Sequence, residues 1–164
     1  MKSFAKYQTF LDLHHQSDPF VLPNAWDAAS AKAFQNCGFK AVGTTSAGIA
    51  MSLGYPDGEH LPFETLLSVL KTITDAVDIP VSADLEAGYG QTPETVAENA
   101  KKAAAAGVVG INIEDGTKEP CRPLIDETLM EEKIRAVKKL NLPVLINVRT
   151  DVKLLNAFAP GSLH

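Results

Sequence analysis

Five short apolar runs separated by four amphipathic segments fill the chain from Phe20 to Thr150. The runs are Phe20–Trp26, Lys40–Ser46, Ile79–Glu86, Val108–Glu114 and Pro143–Thr150, and the segments between them include Asp27–Cys37, Phe63–Val77, Pro93–Ala106 and Glu127–Leu140. Strands that are apolar nearly throughout must be covered on both faces, and a helix between each pair supplies that cover, so this order predicts parallel strands. The punctuation agrees: Gly38 stops the Asp27–Cys37 helix, Thr92 and Gly107 cap Pro93–Ala106, and Asp126 is placed to cap Glu127–Leu140. A further helix over Ser3–His15 precedes the first strand.

Parallel βα order leaves a (β/α) barrel or a doubly wound sheet, and the polar residues decide between them. Thr44, Thr45 and Ser46, then Asp84 and Glu86, then Glu114 and Asp115, then Arg149 fall at the C-terminal ends of successive strands. A site drawing on four strands in a row suits a ring better than a crevice between two strands. The expected fold is therefore α/β of the (β/α)8 TIM-barrel type. A closed barrel needs about 250 residues, whereas this sequence has 164 with room for five βα units. The reading is a single incomplete barrel domain over 1–164, with Pro160-Gly161 standing where a helix would follow the fifth strand.

Chemistry concentrates in Ser82-Ala83-Asp84-Leu85-Glu86-Ala87-Gly88-Tyr89-Gly90. Alternation along a strand puts Asp84 and Glu86 on one side, just before a glycine-rich turn. Two same-facing carboxylates at a buried strand end repel unless a cation or base lies between them. Hard oxygen ligands of this kind suit Mg2+ shared with a small anionic substrate. Arg149 is placed either to clamp a substrate carboxylate with its planar fork or to pair with these acids.

Composition narrows the field further. A net charge of -5 with 15 scattered Lys and Arg offers no basic stripe for nucleic acid, and no apolar run is long enough for a bilayer. Met1–Gln8 has no secretory h-region, and Cys37 and Cys121 fit neither a metal spacing nor a disulfide framework, so a cytoplasmic protein with free thiols is expected. His14, His15, His60 and His164 have no metal spacing and read as solvated or locally bonded, Trp26 reads as barrel core, and Ala103–Ala106 as helix packing. Asp57 and Asp115 read equally well as helix caps or as site residues.

Six motifs in order carry a family resemblance: Leu22-Pro23-Asn24-Ala25-Trp26-Asp27, Thr44-Thr45-Ser46-Ala47-Gly48, Leu53-Gly54-Tyr55-Pro56-Asp57, Asp84–Gly90, Asn112-Ile113-Glu114-Asp115-Gly116 and Ile146–Asp151. Together they resemble the isocitrate lyase and phosphoenolpyruvate mutase superfamily. The resemblance implies an Mg2+-dependent barrel enzyme, with Mn2+ able to replace Mg2+, that makes or breaks a C–C or P–C bond beside the carbonyl of a 2-oxo acid through a pyruvate enolate. It implies Asp84 as the direct metal ligand with Glu86 and Glu114 acting mainly through water, and Arg149 as substrate clamp. It further implies Thr45, Ser46, Ala47 and Gly48 as a loop holding the substrate carboxylate, Asp57 as a catalytic carboxylate near the metal, and a homo-oligomer. Where the lyase branches carry Lys-Arg-Cys-Gly-His, this chain has Lys118-Glu119-Pro120-Cys121-Arg122-Pro123, so Cys121 reads as a bystander. Glu86 stands where many members have Asp, a longer arm that keeps the metal and alters the substrate. Phosphonopyruvate hydrolysis, oxaloacetate decarboxylation and C–C cleavage of another 2-oxo acid all stay open, as does an inactive barrel fragment.

Overall fold

The helix starts follow from side chains that satisfy the first free backbone N–H groups. In the computed structural model, which describes residues 2–116 and 124–153, Asp27 and Ser30 form a reciprocal capping box at α2 (Ala28–Asn36). Thr92 caps α5 (Pro93–Ala105), where Pro93 occupies the first turn, and Asp126 accepts from Thr128 and Leu129 at α6 (Glu127–Lys139). The remaining helices are α1 (Lys2–His15), α3 (Ser46–Ser52) and α4 (Phe63–Ala76). The sequence reading does not anticipate α3: its seven residues are too few to show a helical period, and Gly48 lies inside them.

The strands β1 (Asn24–Ala25), β2 (Val42–Thr44), β3 (Val81–Asp84), β4 (Gly110–Glu114) and β5 (Leu145–Arg149) form one parallel sheet in the order β1-β2-β3-β4-β5. Each lies inside the apolar run that predicted it and is shorter, because only the laddered residues count as strand. Sequential parallel order with helical crossovers is the arrangement of a (β/α)8-type wall.

Two layers of side chains result from this sheet. On the outer face Val42, Val81, Ala83, Ile111 and Ile113 pack beneath Leu66, Leu70 and Ile73 of α4 and Val96, Ala100 and Ala103 of α5, all buried. Burying each Leu or Ile side chain there contributes roughly 1.5–3 kcal/mol. Ala103 sits in this core, in keeping with the packing role read from the alanine run. The inner face is closed at its N-terminal end by α1, whose Phe10 packs with Ala41 and Val109. Gly110 makes this seat, since a Cβ there would stand 2.5 Å from the Phe10 ring.

Trp26 departs from its expected place in the core. It is 43% exposed, beyond the end of β1, where the ladder no longer turns it toward the sheet. His14 accepts the local role read for it: its Nδ1 bonds the Phe10 carbonyl at 2.8 Å, and its ring packs against Phe10 and Phe20. Cys37 is an exposed free thiol, whereas Cys121, His164 and the segment 154–164 lie outside the described residues.

Candidate active site

Strand register stacks the inward side chains in levels. Gly110 pairs with Leu145, Asp84 with Asn112 and Asn112 with Asn147, and Glu114 with Arg149. The sequence of levels runs from an apolar floor through carboxamides to charge at the C-terminal strand ends. A cleft of about 390 Å³ follows this inner face, with Phe10 and Leu22 at one end and Asp84 and Arg149 among its other walls.

Asp84 is the last residue of β3 and has partners on both oxygens. Ser46 donates to Oδ2 through Oγ at 2.8 Å and through its N–H at 3.4 Å, and the Glu86 N–H reaches Oδ1 at 3.2 Å. Thr44 fixes the approach, its Oγ1 accepting the Asp84 N–H at 2.9 Å. Glu86 sits close by, but strand alternation does not put it there. The strand ends at Asp84, and Glu86 has left-handed backbone with φ 50°. Its carboxylate accepts the Glu59 N–H at 2.7 Å and the Tyr89 phenol at 2.9 Å, and it is buried. Burial and the charges of Glu86, Glu59 and Asp84 push the Tyr89 phenol well up, so it stays a donor.

Glu114 and Arg149 meet across the β4–β5 ladder. Glu114 Oε2 is buried and ion-paired with Arg149 Nη2, yet it receives no well-aligned hydrogen bond. Arg149 also donates to Asp151 through Nε at 2.8 Å and Nη2 at 3.2 Å, and this bond first of all raises its already high pKa. The ion pairs described for Arg149 are with Glu114 and Asp151, whereas the sequence reading offered Asp84 and Glu86 as its partners, and 42% of its side chain is left exposed. Asp115 is not a helix cap: it accepts the Thr150 hydroxyl and the Asp151 N–H, both at 2.7 Å, and so secures the end of β5.

The Thr45–Gly48 segment is not an open loop. Thr45 caps α3 by accepting the Gly48 N–H at 3.2 Å, and the Ser46 donors are taken by Asp84. Ser46 thus supports Asp84, a role that no sequence spacing announces. Asp57 lies exposed in the segment between α3 and α4, and that segment bonds to the carboxylate cluster through Glu59. Glu59, Tyr89 and Asp151 are the residues that sequence reasoning misses; the one available signal was their position beside the Asp57, Gly88 and Arg149 motifs.

The profile of phosphoenolpyruvate phosphomutase matches residues 10–162. The chain belongs to the phosphoenolpyruvate phosphomutase family. It is similar to an uncharacterized protein of Mycobacterium tuberculosis, 41% identical over 92% of this chain and 56% of that protein. It is also similar to the 2,3-dimethylmalate lyase of Eubacterium barkeri, at 32% identity over 81% of this chain and 49% of the lyase. Among solved structures, a phosphonopyruvate hydrolase in complex with oxalate and Mg++ superposes with a TM-score of 0.87 at 22% identity, over 93% of this chain and 55% of that one, and shows the shared fold. The chain therefore spans about half the length of the curated relatives it matches. Enzymes of the phosphoenolpyruvate phosphomutase superfamily cleave C–C or P–C bonds of small acids.

The residues of this family member can be tested against a divalent cation. Among the described residues no three His, Cys, Asp or Glu side chains form a closed ligand cage. Mg2+ keeps several waters and needs only one or two carboxylates of the protein, so the fit is decided by the charge of the carboxylates present. The Glu114 carboxyl is pushed up to about 7, chiefly by burial and next by the Asp84 charge, against the opposing pull of Arg149. Glu114 Oε2 is already answered by Arg149, but Asp84, Asp151 and Glu86 all still act to raise its carboxyl, and a further positive charge would relieve that repulsion, so the donor set fits.

With its folded pKa above the unfolded value, Glu114 contributes stability that is present below about pH 4.5 and is lost as pH rises through about 7. In EDTA, the melting temperature of the native chain should fall over this interval more steeply than that of Glu114→Gln. Equal slopes in thermal melts at successive pH values would refute the shift.

Proposed function

We propose that this chain carries the metal and substrate site of an Mg2+-dependent lyase or hydrolase that cleaves a C–C or P–C bond of a small 2-oxo acid through a pyruvate-like enolate. The observation that carries the reading is the convergence of Asp84, Glu86 and Glu114 with Arg149 at the C-terminal ends of β3, β4 and β5. Asp84, with Glu86 and Glu114 acting mainly through water, would hold the ion. Mg2+, or Mn2+ in its place, supplies Lewis-acid charge there when bound.

The other residues act by position. Bond cleavage beside a carbonyl leaves negative charge on the enolate fragment, and the Arg149 guanidinium presents fixed positive charge toward it. Because Arg149 Nε and Nη2 are held by Asp151, its fork is oriented before substrate arrives. Asp57 is assigned to the reacting bond, and Thr45, Ser46, Ala47 and Gly48 at the start of α3 to the substrate carboxylate, with Ser46 also serving through Asp84. The proposal extends to one barrel-type domain over 1–164, a cytoplasmic setting and a homo-oligomer. No helix among the described residues is long and apolar enough to cross a membrane.

A thermal melt with Mg2+ plus oxalate, a planar mimic of the enolate, tests the reading. Ligands at about 100 times their dissociation constants should raise the midpoint by about 5–10 °C, and more together than either alone. A midpoint indifferent to both would identify an inactive barrel fragment instead.

A further inference from the structure

Three non-glycine residues with left-handed backbone, Glu59 (φ 52°), Glu86 (φ 50°) and Tyr89 (φ 53°), come from two separate segments and bond to one another. Side chains enter that region at a cost and persist there only where the surroundings fix them. Here the surroundings are mutual. The Glu59 N–H donates to Glu86 Oε2 at 2.7 Å, the Tyr89 phenol donates to Glu86 Oε1 at 2.9 Å, and the Tyr89 N–H donates to Glu59 Oε1 at 2.7 Å. The three bonds close a ring.

Two further elements brace it. The Tyr89 ring packs on Phe63, the first residue of α4, with centroids 5.2 Å apart. Lys133 of α6, only 3% exposed, donates to the Ala87 carbonyl at 3.3 Å, and the Glu59 carboxylate is near enough to stabilise its ammonium. Burial pulls the pKa of the Lys133 ammonium down, and the Glu59 carboxylate opposes that pull without overcoming it. Along the chain, Glu59 is two residues from Asp57, so about 7 Å of backbone at most separates the ring from that carboxylate.

We propose that Glu59 is a positioning residue: the ring it closes with Glu86 and Tyr89 fixes the 53–62 segment, and with it Asp57, against the carboxylate cluster, so that ligand uptake at the cluster tightens the segment. The inference rests on the reading of Asp84, Glu86 and Glu114 as the metal site. No contact of Asp57 itself is needed for it.

Hydrogen exchange of the 53–62 segment, followed by mass spectrometry with and without Mn2+ and oxalate, tests the proposal alongside calorimetric Mn2+ binding. In the native chain the ligands should slow exchange of this segment. Glu59→Ala should exchange about fivefold faster without ligand and lose the ligand-induced slowing, while still binding Mn2+ within about tenfold of native. Glu59→Gln keeps an acceptor for the Tyr89 N–H and should restore the slowing. Tyr89→Phe, which keeps the packing on Phe63, should weaken the slowing and serves if Glu59→Ala does not fold. Native-like slowing in Glu59→Ala, or in Tyr89→Phe where that variant stands in, overturns the positioning role while leaving the metal site intact. Absence of Mn2+ binding in the native chain overturns both.

Discussion

Asp84→Ala is expected to abolish Mg2+-dependent stabilisation and any metal-dependent turnover, lowering divalent-ion affinity by more than about 100-fold. Outer-shell partners of a metal typically account for about 10–100-fold, and Asp84 is the proposed direct ligand. The metal-free protein should respond differently. Removing Asp84 leaves the Ser46 Oγ, the Ser46 N–H and the Glu86 N–H without this acceptor, but it also removes the charge that helps push Glu114 up. These changes oppose each other, so the melting temperature in EDTA should move by no more than about 3 °C, on the order of 1 kcal/mol. A purely structural Asp84 would give the reverse pattern: a large loss in EDTA and an unchanged response to Mg2+. Melts of the native and variant chains in EDTA and in Mg2+ with oxalate separate the two, and a variant that still responds to Mg2+ would refute the assignment.

Gly88→Ala should be the most destabilising single methyl in the site region. At φ +96° Gly88 occupies backbone that L side chains rarely adopt, and an added Cβ would stand 2.6 Å from Val96 Cγ1 and 2.9 Å from Cγ2. Left-handed backbone costs about 1–2 kcal/mol and overpacking about 1–3 kcal/mol, so a loss of about 2–5 kcal/mol is expected. For a domain of this size that is a fall of about 5–20 °C in melting temperature. Combining it with Val96→Ala should recover the packing share and leave the backbone share, a non-additivity that a double-mutant cycle measures. Simple additivity of the two variants would show that Val96 does not oppose position 88.

Much of the frame was legible because its signals are local. Asp27, Thr92 and Asp126 announce helix starts by the N–H groups they bond, and the apolar runs announce strands by their lack of polar breaks. The site was legible as a set of residues and less so as a set of partnerships. Glu114 and Arg149 are 35 positions apart in sequence, and only the β4–β5 register sets them opposite each other. The placing of Glu86 followed the strand period one step too far, since β3 stops at Asp84. Neither α3 nor the bond of Ser46 to Asp84 leaves a mark in sequence spacing. Trp26 looked like core because its bulk is apolar, although β1 ends before reaching it.

The stacked register has a consequence at the far end of the fifth strand. Side chains there alternate between two faces, so sliding β5 by one residue would exchange Arg149 for Val148 at the charged level and Asn147 for Ile146 at the carboxamide level. The short connection Leu140–Val144, with Asn141 turned at φ 49°, therefore sets the phase of the strand like the zero mark of a ruler. A single inserted residue in that connection, remote from every group that does chemistry, would put the cluster's guanidinium on the wrong side of its wall.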